Sequence, residues 1–365
     1  MIILAFESSC DETSAAVVVR EDDGSFTVKS NIIASQIETH RLYGGVVPEI
    51  ASRAHTEAIS RITYEALEKA NVSLSDVGLI AVTASPGLIG ALLVGVNFAK
   101  ALATARGIPL VAVDHVKGHI AAAYLTTPAP KPPFLALALS GGHTAIYEVR
   151  SYTDFYTVGT TRDDAIGEAF DKIGRIIGIP YPAGKGFDEL SREGYRLATG
   201  LDEDFYDKYK KSAAYRDPEM NLPSPALADG SLDFSFSGLK TAAINLLHRF
   251  EQSGRELSKP LFAARYTHEA VEAVKKKTEA ALLEYGKIPL VVAGGVAANS
   301  HLRYALKRLT ERLGVELYIP PISLCGDNAA MIGAQGYYEY TENGPSDSSL
   351  NASALDTITP KGLRE

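Results

Sequence analysis

Cysteine is scarce in this chain. Only Cys10 and Cys325 occur among 365 residues, too few for a disulfide scaffold and in keeping with a reducing compartment. A long apolar run is missing as well. The longest, around Leu88 to Val96, is interrupted by Gly90 and Gly95 and falls well short of a membrane span. The opening residues Met1-Ile2-Ile3-Leu4-Ala5-Phe6 meet an acid at Glu7, with no basic segment and too few apolar residues for a secretory signal. A cytoplasmic protein without membrane association is therefore expected. There is no excess of positive charge. The formal net charge is -8, which argues against a general nucleic-acid coat but leaves room for a local basic groove, because binding depends on the field where the partner docks.

What is present is the composition of an ordinary globular protein, 46% hydrophobic and 22% charged, in a chain longer than one core usually holds. Two domains are the first expectation. Ile2 to Phe6 reads as a buried strand, followed by the polar turn Glu7-Ser8-Ser9-Cys10-Asp11-Glu12-Thr13 and a second strand from Ala15 to Val19. Arg53 to Ala70 has helical spacing, Leu79 to Thr83 reads as a strand, and Ser85-Pro86-Gly87 turns into a helix from Leu88 to Arg106. Pro109 to Val113 is a strand, with a helix through His119 to Tyr124 after it. Thr126 to Pro133 holds four prolines in eight residues and reads as a linker. Strand, polar turn and strand then recur as Phe134 to Leu139, Ser140-Gly141-Gly142-His143, and Thr144 to Val149. Both halves thus open alike, a hint of duplication. A helical region from Asp164 to Leu197 precedes a tyrosine-rich segment from Gly200 to Asp233, which reads as an inserted loop with short helices. Pro289 to Ala293 is a strand leading through Gly294-Gly295 to a helix from Ser300 to Leu313, and the polar tail after Asn343 is expected to fray. Alternating strands and helices of this kind make an α/β layer structure.

Two residue patterns carry chemistry. His115 and His119 are four apart, which on a helix places both imidazoles on one face within reach of one metal ion. Asp114 is placed to cap that helix. With eight histidines in the chain, such a pair arises by chance about 0.2 times, so spacing alone leaves coincidence and metal binding both open. No Glu follows His115, so the H-E-x-x-H pattern of zinc peptidases and its general base are absent. A third ligand has to come from elsewhere, with Asp327 in Cys325-Gly326-Asp327-Asn328 the leading candidate. The second pattern is the set of glycine turns. Ser140-Gly141-Gly142-His143 and Gly294-Gly295 bring backbone N–H groups close to an anion, although each also reads as a plain structural turn.

Taken in order, these loops say more. Glu7 to Thr13, Tyr43-Gly44-Gly45-Val46-Val47-Pro48-Glu49, the histidine pair, Ser140 to Thr144, Gly294 to Asn299 and Cys325 to Asn328 resemble the TsaD family, the tRNA threonylcarbamoyladenosine transferases once described as O-sialoglycoprotein endopeptidases. The resemblance runs from residue 1 to about 340. It implies the two-lobed α/β ASKHA fold of actin, hexokinase and Hsp70, with the active site in the cleft between lobes. The lobes would be residues 1–130 and 131–345, the second carrying an inserted region near 200–233, with 346–365 a flexible tail.

The resemblance also implies a site. Metal ligands fall on His115, His119 and Asp327, for iron(II) first and zinc second. Substrate-binding positions fall on Ala138, Leu139, Ser140, Gly141, Gly142, Asp171, Gly184, Asp188 and Asn299, and Ser9, Asp11 and Glu12 match a phosphate-side loop. Ala183 stands where many relatives carry glycine, and its methyl group narrows the approach if it faces the cleft. The implied reaction moves a threonylcarbamoyl group from threonylcarbamoyl-AMP to the N6 amine of an adenosine beside the anticodon, with Asp11 or Glu12 as proton acceptor. An adenine nucleotide is expected in the same cleft. Implied partners are tRNA, a TsaB-like paralogue and a TsaE-like ATPase, with the intermediate supplied by a TsaC-type enzyme. Candidate RNA phosphate contacts are Lys208, Lys210, Lys211 and Arg216, or Lys275, Lys276 and Lys277. The rival readings are an ATPase or small-molecule kinase of the same fold, a metalloprotease, and a non-catalytic binding partner.

Overall fold

The computed structural model describes residues 1–360 apart from 226 and 228, and in it the chain makes one five-stranded pattern twice. The first half runs β1 (Ile2–Glu7), β2 (Glu12–Arg20), β3 (Phe26–Ser35), α1 (Ile37–Arg41), α2 (Pro48–Ala70), β4 (Leu79–Ser85), α3 (Ile89–Arg106), β5 (Leu110–Asp114) and α4 (His115–Ala121). Its first three strands form an antiparallel meander, and β4 and β5 join parallel beside β1, in the order β3-β2-β1-β4-β5. The second half begins with β6 (Phe134–Leu139), β7 (Thr144–Val149) and β8 (Phe155–Thr160). The helices α5 (Ile166–Ile176), α6 (Gly184–Thr199), α7 (Phe205–Tyr209), α8 (Ala213–Arg216), α9 (Ser237–Gln252) and α10 (Lys259–Glu284) follow. It closes with β9 (Leu290–Ala293), α11 (Ser300–Leu313), β10 (Leu317–Tyr318) and α12 (Ala329–Asn343). The sheet order β10-β9-β6-β7-β8 is that of the first sheet read from its other edge. This is the two-lobed ASKHA architecture, and the repeated strand–turn–strand opening is its trace in the sequence.

Alternate residues of each strand serve opposite faces. Leu4, Phe6, Val17, Ile80 and Val82 pack outward against Ile59 and Ile62 of α2 and Val96 and Ala99 of α3. Ile3, Ala5, Ala16, Val18 and Ala81 face inward and are covered by Ala329, Ala330, Met331 and Ile332 of α12. The second sheet is built likewise. Leu135, Leu137 and Val292 pack outward with α5, α9, α10 and α11, while Ala136, Ala138, Tyr147 and Ala293 meet Val116 and Ile120 of α4. The last helix of each half therefore covers the sheet of the other, and α4 and α12 lie against each other between the sheets.

Several elements differ from the sequence reading. The third strands β3 and β8 were not anticipated, and α2 starts at Pro48, where proline suits the first helical turn, rather than at Arg53. The helical region expected over Asp164 to Leu197 breaks between α5 and α6, where Pro180 and Pro182 interrupt it. Residues 200–233 do carry short helices, α7 and α8. The tail expected to fray is instead bonded along the molecule. Ser346 N–H donates to Leu110 O (2.8 Å), Ser353 N–H to Ala84 O (2.8 Å), and Thr359 O accepts from Thr157 N–H (3.1 Å). Residues 361–365 lie outside the described residues. By length and composition α3 is apolar enough to cross a membrane, yet Ala91, Leu92, Val96 and Ala99 are buried inside the lobe.

The inner packing requires small residues on α12. A Cβ on Gly336 would lie 2.5 Å from the Cβ of Ala81, a rigid neighbour on β4. Gly336→Val is expected to destabilise the protein by about 1–3 kcal/mol through overpacking, read as a lowered urea midpoint. An unchanged midpoint would show that α12 can lift from the sheet without loss.

Candidate metal centre and nucleotide-side turns

Several of the expected site residues, among them His115, Ser9, Ser140 and Asp327, lie beyond the carboxyl end of a strand, where ligands bind in open α/β sheets. Asp171, Gly184 and Asp188 lie instead in helices α5 and α6. His115 opens α4 directly after β5, and Asp114 caps the helix by accepting from Val116 N–H (2.8 Å) and Lys117 N–H (3.2 Å). Asp327 occupies the matching place in the other half, after β10 and just before Asn328, which caps α12 through Met331 N–H (3.1 Å). Gly118 lets the two helices approach, since a Cβ there would lie 2.6 Å from Ile332 Cδ1. The result is one cluster. Ligand atoms of His115, His119 and Asp327 all lie within 4.8 Å of one another. Asp327 Oδ1 is 3.2 Å from His119 Nε2 and 3.7 Å from His115 Nε2.

The donor set fits a divalent metal. His119 is buried and neither of its ring nitrogens makes a hydrogen bond among the described residues, despite the proximity of Asp327. A buried polar atom left unpaired costs about 1–3 kcal/mol, and a cation between two imidazoles and a carboxylate would satisfy Nε2. His115 is oriented from behind. Its Nδ1 is 3.0 Å from Glu7 Oε2 and 3.1 Å from Ser9 Oγ, and Glu7 accepts from Thr83 Oγ1 (2.7 Å). A carboxylate on the far ring nitrogen fixes the tautomer that aims Nε2 at a metal. Glu7 is the positioning residue that sequence reasoning missed, although an acid ending an apolar strand was a usable signal.

The charges are tightly balanced. Burial drives the His115 imidazolium down, but Glu7 and Asp327 outweigh it and push the group up to about 9. Burial raises the carboxyls of Glu7 and Asp327, and the facing histidines overcome this and hold both below the usual range. Glu12 has no such cation: burial, then Asp327 and Asp11, push it up to about 10. His143, its ring centroid 6.5 Å from that of His115, is pushed down to about 4 by burial and by the two histidine charges.

The phosphate-side loop and the second lobe meet at the cleft rim. Ser9 reaches His115 as above, while Asp11 Oδ2 accepts from Tyr181 OH (3.3 Å) and Arg41 Nε donates to Tyr181 O (3.2 Å). Ala138 and Leu139 end β6, and the Ser140 turn is closed by Ser140 N–H to His143 O (2.8 Å), leaving Gly141 and Gly142 exposed. Gly294, with φ of 90°, presses the β9 turn against the carbonyl of Leu139, so no side chain fits there. The remaining positions lie within or at the start of helices. Asp171 accepts from Ala183 N–H (2.7 Å) just before Gly184 starts α6, Asp188 accepts from Ser300 N–H (3.0 Å) and Oγ (2.8 Å), and Asn299 caps α11. The methyl group of Ala183 is buried above Gly174 and does not narrow the cleft. The two lysine clusters read as alternatives partly merge, since Lys210 and Lys275 both pair with Glu272.

His115→Ala and His119→Ala are each expected to lose bound metal in elemental analysis, whereas Glu7→Gln should weaken metal affinity by about 10–100-fold. Because His115 must shed its proton to bind, affinity should rise with pH up to about 9 and level off above it. A flat profile between neutral pH and that value would count against His115 as a ligand.

The family model of TsaD, tRNA N6-adenosine threonylcarbamoyltransferase, matches residues 27–334. The chain is 46% identical over 350 residues to the tRNA N6-adenosine threonylcarbamoyltransferase of Clostridium botulinum (strain 657 / Type Ba4), covering 96% of each. It is 47% identical over 351 residues to that of Geobacillus thermodenitrificans, covering 96% of this chain and 95% of the relative. Among solved structures, T. kodakarensis HypF shares the fold with a TM-score of 0.59 at 13% identity, covering 97% of this chain and 49% of that one. With a family match spanning most of its length and relatives this similar from end to end, the chain belongs to the TsaD family of tRNA N6-adenosine threonylcarbamoyltransferases.

Proposed function

We propose that the chain transfers a threonylcarbamoyl group from threonylcarbamoyl-AMP to the N6 amine of the tRNA adenosine beside the anticodon, in the cleft between His115 and the Ser140 turn. The observation that carries this reading is the His115, His119 and Asp327 cluster, set next to a glycine turn and helix starts suited to a nucleotide. A divalent ion held by these three residues, iron(II) first and zinc second, would supply Lewis-acid charge at the acyl phosphate. The kinase and ATPase reading is not favoured, because the relatives are named as threonylcarbamoyltransferases.

The residues divide the remaining work. Asp171 and Asp188 each use one carboxylate oxygen inside the protein, and the second oxygen is left to accept from ribose hydroxyls. Exposed backbone at Gly141 and Gly142 suits the phosphate of AMP. The N6 lone pair is delocalised into the ring, so alignment with the carbamoyl carbon supplies much of the rate, several kcal/mol in well-oriented pairs. As the C–N bond forms and the bond to the AMP phosphate breaks, the amine proton needs an acceptor. Glu12, held protonated well above neutral pH, is the poorer one. Asp11, facing Tyr181 on the cleft rim, is the better placed.

Family membership supports a TsaB-like paralogue and a TsaE-like ATPase as partners, a TsaC-type enzyme as source of the intermediate, and work in the cytoplasm. Labelled threonine should reach tRNA in reconstitution with those proteins, and a chelator should stop it. Asp11→Asn is expected to lower kcat by about 10²–10⁴-fold, with Glu12→Gln affected less. Equal losses in both variants would remove the assignment to Asp11. Full transfer by a metal-free His115→Ala, His119→Ala double variant would sink the metal-assisted reading.

A further inference from the structure

A second cavity, of about 580 Å³, lies between α7, α10 and α11 and contains none of the cleft residues. Its size is in the range that ligand pockets occupy. Its floor is His268, 3% exposed, whose two ring nitrogens have no hydrogen-bond partner among the described residues. Burial holds that imidazole neutral, pushed down to about 3, so it presents one donor and one acceptor to whatever enters. Aromatic rings form a wall. His301 stacks on Tyr206 with centroids 4.5 Å apart and planes 10° apart, and on His268 at 5.4 Å, while Tyr304 lies 5.0 Å from Tyr206. Cations from three elements line the mouth: Lys210, Lys275, Arg308 and Arg312 against the carboxylates of Asp207, Glu272 and Glu311. So near a balance holds a bare anion poorly, whereas an aromatic base with its phosphate uses rings, imidazole and cations together.

We propose that this cavity binds one nucleotide unit, an aromatic base with its phosphate, as a second subsite beside the cleft. The two sites share a wall. Tyr206 OH is 2.6 Å from Ser300 Oγ, which donates to Asp188 at 2.8 Å. Along α11 the distance from Asn299 to Arg308 is about 13 Å at the helical rise. That separation suits an unpaired RNA strand whose reactive adenosine sits in the cleft while a neighbouring nucleotide enters the cavity. The RNA source rests on the transfer reaction proposed above. A free mononucleotide has the same chemistry and is the other source to be separated.

The test uses the full chain with two probes, an unmodified anticodon stem-loop RNA and AMP. Arg308 and Arg312 have side chains 61% and 58% exposed, so Arg308→Glu with Arg312→Glu leaves the core alone, and Tyr304→Ala removes one ring. RNA affinity by fluorescence anisotropy is expected to fall roughly tenfold in each variant. The KM for tRNA should rise with kcat nearly unchanged, and metal content should stay the same. Unchanged RNA affinity with one AMP site lost by calorimetry would keep the nucleotide subsite and assign it to a free nucleotide. Unchanged affinity for both probes in variants that melt like the parent overturns the proposal. A parent chain that fails to modify tRNA with its partners overturns the reading of the cleft instead, and the AMP arm then decides the cavity.

Discussion

The closeness of α4 and α12 is the constraint on which the site depends. Helix α4 starts directly where β5 ends, and α12 follows β10 after residues 319–328. The two bring together the residues that could hold a metal: His115 and His119 from the first half, Asp327 from the second. A side chain on Gly118 would press on the Ile332 Cδ1 methyl of the facing helix, 2.6 Å from where its Cβ would sit. Packing here is therefore a chemical requirement. The small residues that line both helices are what allow two imidazoles and a carboxylate to converge in the space of one ion.

Convergence has an electrostatic cost. Glu7, Asp11, Glu12 and Asp327 act on one another, and the facing charges are histidines, His115 and His119 foremost. The balance of burial and neighbouring charge pushes the His115 imidazolium up to about 9 and the Glu12 carboxyl up to about 10, which favours a proton on each. Introducing a divalent cation replaces the first of these protons and relieves the repulsion among the carboxylates. The same arrangement separates residues that look alike in sequence: Glu7 contacts His115 Nδ1, Asp327 lies beside the Nε2 atoms of both histidines, Glu12 is pushed up by burial, and Asp11 faces Tyr181 at the rim.

Local features of the site were legible in the sequence. The histidine spacing, the Asp114 cap and the glycine turns each follow from short-range geometry and are found as expected. What escaped was set by partners distant in the chain. Helix α12 is buried on most of its surface, so it has no polar stripe to betray a helical period. Strands β3 and β8 exist because β2 and β7 offer them an edge. The tail reads as disordered by composition, yet its backbone finds acceptors on β4 and β5 and a donor on β8, and Thr357 Oγ1 donates to Asp114 Oδ2 at 2.7 Å, behind the cap of the helix that carries His115 and His119.

The exchange of helices between halves also bears on how the molecule comes off the ribosome. The inner face of the first sheet, with Ile3, Ala5, Val18 and Ala81, is covered by Ala329 to Ile332. A nascent chain that has already formed five strands still shows this face to water until nearly all of the protein has been synthesised. Amino-terminal domains often fold early and alone; here the first lobe has to wait for the end of the message. During that interval it exposes the kind of apolar surface that chaperones bind, and a truncated transcript would yield an aggregation-prone sheet rather than half an enzyme.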